Sequence, residues 1–362
     1  MAVFNGQLNS NEIFAALYNM IIGQQVFADN IAGTGSALVD MSRVDGSMYG
    51  DTKLYYSTDV LRSYPWGNDA EAANLLELYR PKAPECQKIT LDVFRQIPLT
   101  IDYYLSKRAW GDEGAFSSFT SVMLGWMSDT KKVYDATTFN SYVGTAISEK
   151  ASESISIDVT TATEGLTGEE KARVEAGVIG ESIANLMIDL EDITRDYNDH
   201  GQLRSYDIED LIFVWNAKAI SKIEKRDLPS LFHNEIIDKM GKYKLPARYF
   251  GTVNDTEKTG DGSTVRSLIE QDLKKTSSPD VHVFAGDLIP SGYNAPAKTS
   301  YTVDGSVLFK VMHKRSVPYM SAFEVGTSFF NAKSLTENRY LTFGHNTLEY
   351  LKQYPFITVK QI

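Results

Sequence analysis

A chain of 362 residues can bury a sizeable core as one large domain or two, and 43% hydrophobic with 23% charged residues is ordinary for a folded protein. The net charge of −11 argues against gripping a phosphate backbone as the main task. Cys86 stands alone, which excludes an intramolecular disulfide and fits a reducing compartment; no stretch approaches the ~20 apolar residues of a membrane span.

Residues 1–50 read as an arm. Met1 to Asn5 show no basic segment ahead of an apolar run, so no signal peptide is expected. Ser10-Asn11-Glu12 can start a short helix with Ile13, Leu17, Met20 and Ile21 on its apolar side. From Asn30 to Gly50 the composition, with Gly33, Gly35, Gly46 and Gly50, suits either an extended segment laid on something else or a partly disordered leader.

Asp51 to Tyr64 predicts a strand, with Leu54, Tyr56, Thr58 and Val60 alternating against Tyr55, Ser57 and Asp59. A broad tip from Pro65 to Cys86 joins it to a second strand from Gln87. There Ile89, Leu91, Val93, Ile97, Leu99, Ile101 and Tyr103 fall on odd positions, with Arg95 as the break, against Thr90, Asp92, Gln96, Thr100 and Asp102. Period two over that length means one face covered and one wet, in a strand of about 50 Å that reaches out of its own domain. The period then becomes helical. Glu113 to Lys150 predicts a long helix with Phe119, Met123, Trp126, Val133 and Tyr142 in its stripe and Ser118, Ser121, Asp129, Lys132 and Asp135 on other faces. The turn Trp110-Gly111-Asp112-Glu113 puts acidic groups at its positive end.

Ser154 to Thr160 alternates as a strand. Thr167-Gly168-Glu169-Glu170 resembles a capping box opening a helix through Ile179, Ile183, Leu186, Leu190, Ile193 and Tyr197, with Gly201 as its C-terminal stop. Asp210 to Trp215 predicts a buried strand, Ala217 to Ile223 a short helix, and Leu228-Pro229 a helix through Met240. Asn254 to Ser263 is an exposed acidic loop, and Val281 to Ala285 a strand. The end is mostly β: Val307–Met312, Pro318–Ser328, Arg339–Phe343 and Phe356–Val359.

The chemistry is sparse. No phosphate-binding glycine loop, HExxH or paired CxxC occurs. A calcium loop from Asp255 fails because its twelfth position is Arg266. His200, His233, His282, His313 and His345 are scattered and read as ordinary polar residues, His200 as one placed by a helix end. The carboxylate pairs Glu169-Glu170 and Glu191-Asp192 read as solvated helix faces, and Lys218, Lys222, Lys225 and Arg226 as a contact patch for an acidic neighbour. No residue is assigned a catalytic, cofactor-binding or metal-ligating role, and no cofactor is expected.

The order of elements resembles the major capsid proteins of tailed bacteriophages, the Hong Kong 97-type fold. The resemblance is carried by Gln87 to Asp102 leading into Glu113–Lys150, by Asp210 to Asn216, where a small polar residue follows the strand and starts a helix, and by Val281 to Tyr293 with Gly286-Asp287-Leu288-Ile289-Pro290. It implies an α+β fold with an N-terminal arm (1–50), an extended β-hairpin loop (51–103), a spine helix and peripheral domain (104–205), an axial domain (206–295) and a β-rich return (296–362). It also implies pentamers and hexamers closing an icosahedral or prolate shell around double-stranded DNA, in a virion assembled in the bacterial cytoplasm. The partners implied are other copies of the chain, a separate scaffolding protein, a portal protein and decoration proteins, with no membrane. Lys53, Lys82 and Lys88 carry no sign of covalent cross-linking. An encapsulin-like compartment and a monomeric α/β enzyme are the rival readings.

Overall fold

The computed structural model describes residues 37–46, 50–64, 78–102, 113–224, 241–254 and 300–362. The expected helix from Ser10, most of the hairpin tip, the turn at Trp110, the helix from Leu228, the acidic loop and the strand at Val281 lie outside the described residues. In chain order the first elements are α1 (Ala37–Ser42), β1 (Arg43–Asp45), β2 (Thr52–Ser57), β3 (Glu85–Asp102) and α2 (Glu113–Thr145). Then come β4 (Ser154–Ile157), α3 (Val159–Ala162), α4 (Gly168–Glu191), β5 (Leu211–Asn216), α5 (Ala217–Glu224), β6 (Gly241–Leu245) and β7 (Gly251–Asn254). The last are β8 (Ser300–Val303), β9 (Val307–His313), β10 (Tyr319–Asn331), β11 (Thr336–Asn346) and β12 (Phe356–Gln361).

The described residues fall into two units, a larger one of Ser36–Arg95, Asp135–Phe323 and Phe343–Ile362, and a smaller one containing Gln96–Tyr134 and Glu324–Thr342. The long elements β3, α2, β10 and β11 each run from one unit into the other.

The core of the larger unit is a five-stranded sheet in the order β4-β12-β9-β5-β6. Its centre follows from the apolar run at β5, all six residues of which are buried. A strand apolar on both faces needs a layer on each side. Leu211, Phe213 and Trp215 pack with Ile179, Ile183, Leu186, Met187 and Leu190 of α4. Ile212 and Val214 point the other way, into a cluster with Phe139, Tyr142 and Val143 of α2 and Leu38 and Val39 of α1. The aromatic knot Phe213–Trp215–Phe309 has ring centroids 4.5–5.6 Å apart.

The second five-stranded sheet has the order β1-β10-β11-β3-β2. The predicted alternation of β3 is observed: Ile89, Leu91, Val93 and Ile101 are buried, Ile97 and Leu99 half-buried, and Lys88, Asp92, Gln96 and Thr100 exposed. The four strands expected from Val307 onward also form, as β9, β10, β11 and β12, and β8 adds one that was not expected.

Several expectations need correction, each for a local reason. The segment Asn30 to Gly50 is not extended throughout: α1 and β1 lie within it, and Leu38 and Val39 belong to the core. β2 stops at Ser57 because Asp59 turns the chain, its carboxylate accepting from the backbone N–H groups of Val60 (2.9 Å) and Leu203 (3.1 Å). The strand from Ser154 ends at Ile157, after which Asp158 caps a helical turn by accepting from Thr161 N–H at 2.8 Å.

The capping box at Thr167 does not form. Gly168 enters α4 at φ +65°, outside the helical region, and the Thr167 side chain makes no cap hydrogen bond. That helix ends at Glu191, short of Ile193 and Tyr197, because Asp192 is extended and its carboxylate takes the Ile193 N–H at 2.7 Å. Gly201 therefore serves a later turn, closed by reciprocal bonds between Asn198 and Gln202, and His200 owes nothing to a helix end. α2 stops at Thr145, before Lys150: Ala146 N–H still bonds Tyr142 O, but the N–H groups of Glu149 and Lys150 go to side chains, Glu149 to Tyr350 Oη and Lys150 to Ser148 Oγ and Asp199 Oδ1. Asp129 and Asp135 do not sit on outward faces of α2 but are both buried.

Candidate assembly surfaces

Cross-strand register fixes which face of the β2–β3 hairpin is free. Leu54 opposes Lys88 and Tyr56 opposes Cys86, so these four share one face, while Lys53, Tyr55 and Ser57 share the other with Ile89, Gln87 and Glu85. The second face is docked. Gln87 clamps the chain at Tyr350–Lys352, donating to Tyr350 O (2.9 Å) and accepting from Lys352 N–H (3.0 Å). Gln202 donates to buried Ser57 Oγ at 2.9 Å, and Arg195 binds Asp59 at 2.6 Å, which draws that carboxyl down to about 2.

The first face is left to solvent. Leu54 is 50% and Tyr56 61% exposed, and beyond the end of β2 Val60, Leu61, Tyr64, Leu78 and Tyr79 are exposed as well, with the rings of Tyr64 and Tyr79 4.5 Å apart. Apolar exposure of this extent on a rigidly docked base marks an interaction surface. In the smaller unit Val325, Phe329, Phe330 and Leu335 are likewise exposed on β10 and the turn after it.

Beneath the hairpin lies a polar network that the sequence reading did not find. Ser148 and Tyr350 both donate to Asp199, at 2.6 and 2.5 Å. Glu153 is fully buried; its Oε2 accepts from Phe356 N–H at 2.9 Å, and burial pushes its carboxyl up to about 7. Lys310, in the middle of β9, donates to the Ala146 carbonyl just past the C-terminus of α2, with its ammonium 4.6 Å over the Phe356 ring; burial lowers it to about 7. Asp135 accepts from Tyr319 Oη at 2.6 Å and stands 3.6 Å from the Arg43 guanidinium, tying α2 to β10 and β1. A lysine between Phe309 and Val311 was the one signal of this network visible in the sequence.

The sign of the pH response follows. Lys310 is lowered from its ordinary 10.5, so its favourable contribution is present above that value and lost as pH falls through about 7. Glu153 is raised from 4.5, so its contribution is present below 4.5 and lost as pH rises through about 7. Urea midpoints of Lys310→Met should therefore change less than the parent's between pH 9 and 7, and those of Glu153→Gln less between pH 4.5 and 7. Parent-like slopes in both variants would contradict the assignment.

The remaining polar candidates serve local structure. His313 stacks on Tyr354 (4.3 Å, 11° between planes), accepts Arg315 N–H on Nδ1, and is held at about 4 by burial. His345 is buried with Nδ1 2.8 Å from Asn346 O, and His200 is half-buried; burial lowers both. His233 and His282 lie outside the described residues. Among the described residues no three His, Cys, Asp or Glu side chains gather as a metal set. Glu169, Glu170, Glu191 and Asp192 are exposed on α4 and just beyond its end, as expected. Asn216 closes β5 just ahead of α5, accepting Lys218 N–H at 3.1 Å and donating to Val307 O. Lys218 is exposed, and the side chains of Lys222, Lys225 and Arg226 are outside the described residues. In the hairpin Lys82 pairs with Glu85 at 3.0 Å, Lys53 is half-buried and Lys88 exposed.

No protein-family model matches the sequence, and no curated protein does. Solved structures do match. A chain in the capsid structure of Staphylococcus phage Andhra superposes with a TM-score of 0.62 at 10% identity, covering 94% of this chain and 87% of that one. A chain in the structure of head fiber and inner core protein gp22 of native bacteriophage P68 gives 0.55 at 10% identity, over 89% and 83%. At such identity the likeness is one of fold: an α+β, Hong Kong 97-type capsid fold.

Proposed function

We propose that this chain is the major capsid protein of a tailed bacteriophage, self-assembling as pentamers and hexamers into an icosahedral or prolate shell around double-stranded DNA. The observation that carries the reading is the apolar hairpin face at Leu54 and Tyr56, held out to solvent by a base docked through Gln87, Ser57 and Asp59, on a fold shared with a phage capsid chain. The work is mechanical. Burying that face against a neighbour supplies a modest contact, and repetition around a closed shell multiplies it. A net charge of −11 suits a wall that encloses DNA without adhering to it.

In this reading residues 51–103 are the loop that overlaps a neighbour, 104–205 the spine helix and peripheral domain, 206–295 the axial domain at the five- and sixfold centres, and 296–362 the strands completing both. A separate scaffolding protein, a portal and decoration proteins are its partners, the virion its destination, and the host cytoplasm its place of assembly. Negative-stain microscopy of the recombinant chain, alone and with its neighbouring genes, tests this. Closed shells or rings of five and six are the expected result. A stable population of small monomers in every combination would overturn it, and shells filled with enzyme cargo would favour a compartment instead.

A further inference from the structure

We propose that the outer edge of β10, from Val325 to Phe329, pairs antiparallel with the same edge of a second copy about a twofold axis. This deepens the shell reading and rests on it for its setting, while the pairing itself is argued from the edge.

β1 covers β10 only at Tyr319, Met320 and Ser321, and Gly46 N–H adds one bond to Ser321 O at 3.2 Å. From Glu324 to Phe330 every residue is exposed, and among the described strands β1 alone lies on that side. The Ser321 carbonyl points to the β1 side, whereas Met320 N–H bonds Asn346 of β11. Backbone groups alternate along a strand, so odd-numbered residues carry N–H and C=O to the open edge. Val325, Thr327 and Phe329 thus present a row of donors and acceptors.

A twofold perpendicular to the sheet can oppose only residues of the same parity, because directly paired side chains share a face. Centred on Thr327, it sets Thr327 against the partner's Thr327 and Val325 against the partner's Phe329, twice by symmetry. Threonine with threonine and β-branched with aromatic are favourable cross-strand pairs. Gly326 and Ser328 meet on the opposite face without crowding, and the odd pairs exchange about six backbone hydrogen bonds. Centring on Ser328 would put Val325 against Asn331 and lose the apolar pairs. The edge also lacks what normally blocks such pairing: Val325 to Asn331 contains no charge and no proline, and neighbouring Glu324 is tied to Lys131 at 3.2 Å. Phe329 and Phe330, 64% and 53% exposed, gain cover in the pair.

The test is a symmetric disulfide. Thr327→Cys in a Cys86→Ser background places the two sulfurs on a hydrogen-bonded pair whose Cα separation of about 5.5 Å suits a disulfide. Under mild oxidation most of this chain should run as a dimer on non-reducing electrophoresis, while Ser334→Cys, in the turn beyond β10, should stay monomeric. Shells of the Thr327→Cys chain that form without the cross-linked dimer, or an equal yield of dimer from Ser334→Cys, would overturn the pairing and leave the shell reading intact. If no shells form, that reading fails, and oxidation of the purified chain still decides the edge contact.

Discussion

Gly144→Val should cost the chain its fold, whereas Gly177→Ala on the other long helix should strengthen it. A Cβ built on Gly144 would lie 1.8 Å from Tyr249 O and 2.5 Å from its carbonyl carbon, so the end of α2 rests directly on the backbone of the turn at Ala247–Tyr249. Ordinary overpacking costs about 1–3 kcal/mol because side chains can change rotamer. Here the obstacle is backbone and no rotamer relieves it. The loss should exceed about 3 kcal/mol, a large share of the roughly 5–15 kcal/mol that holds a typical domain. Val143, Tyr142 and the Lys310 bond to Ala146 flank the contact, so displacing the helix end would open the core as well. Gly177 is exposed within α4 with nothing within 4 Å of its would-be Cβ, and alanine there should gain about 0.5–1 kcal/mol by restricting the unfolded chain. Urea denaturation followed by circular dichroism reads both. A parent-like midpoint for Gly144→Val would mean that α2 does not close on this turn.

What the sequence made legible is what local period encodes. The alternation from Ile89 to Ile101, the uninterrupted apolar run at Leu211–Trp215 and the four strands from Val307 onward each carry their own signal over four residues or more. Helix ends were less legible. The stop of α2 depends on Tyr350 and Asp199, and the stop of α4 on an Asp192 conformation that competes with the helix. Buried polar groups were the least legible. Asp135, Glu153 and Lys310 sit at positions that a periodic reading gives to solvent or to an anonymous strand, and the groups that satisfy them, Tyr319, Phe356 N–H and Ala146 O, lie more than 150 residues away in sequence. The hairpin shows the same division. Its strands could be read, but Leu54 alternates with Tyr55 and Tyr56 with Ser57, so either face could have been the covered one. Gln202 and Arg195, from the loop after α4, decide that Tyr55, Ser57 and Asp59 turn inward.

That choice of face makes the strongest functional prediction. Leu54→Glu with Tyr56→Thr should abolish shells while shifting the stability of the free chain by no more than about 0.5 kcal/mol, as for surface sites generally. Both side chains are at least half exposed, threonine keeps the strand preference, and the carboxylate introduced at Leu54 would face Lys88 across the hairpin as an ion pair. Against a neighbour the outcome reverses. The substituted face loses a buried aromatic and an aliphatic anchor and must desolvate a carboxylate, a loss of at least about 2 kcal/mol per contact. Such a loss is about thirty-fold in one association constant. Every copy in a closed shell uses the same face, so the penalties multiply where a simple dimer would feel only one. Sedimentation should then show the doubly substituted chain as small species at concentrations where the parent forms shells, with unchanged urea midpoints. Shells assembling at the parent's concentration would remove the hairpin face from the interface and, with it, the observation on which the capsid assignment stands.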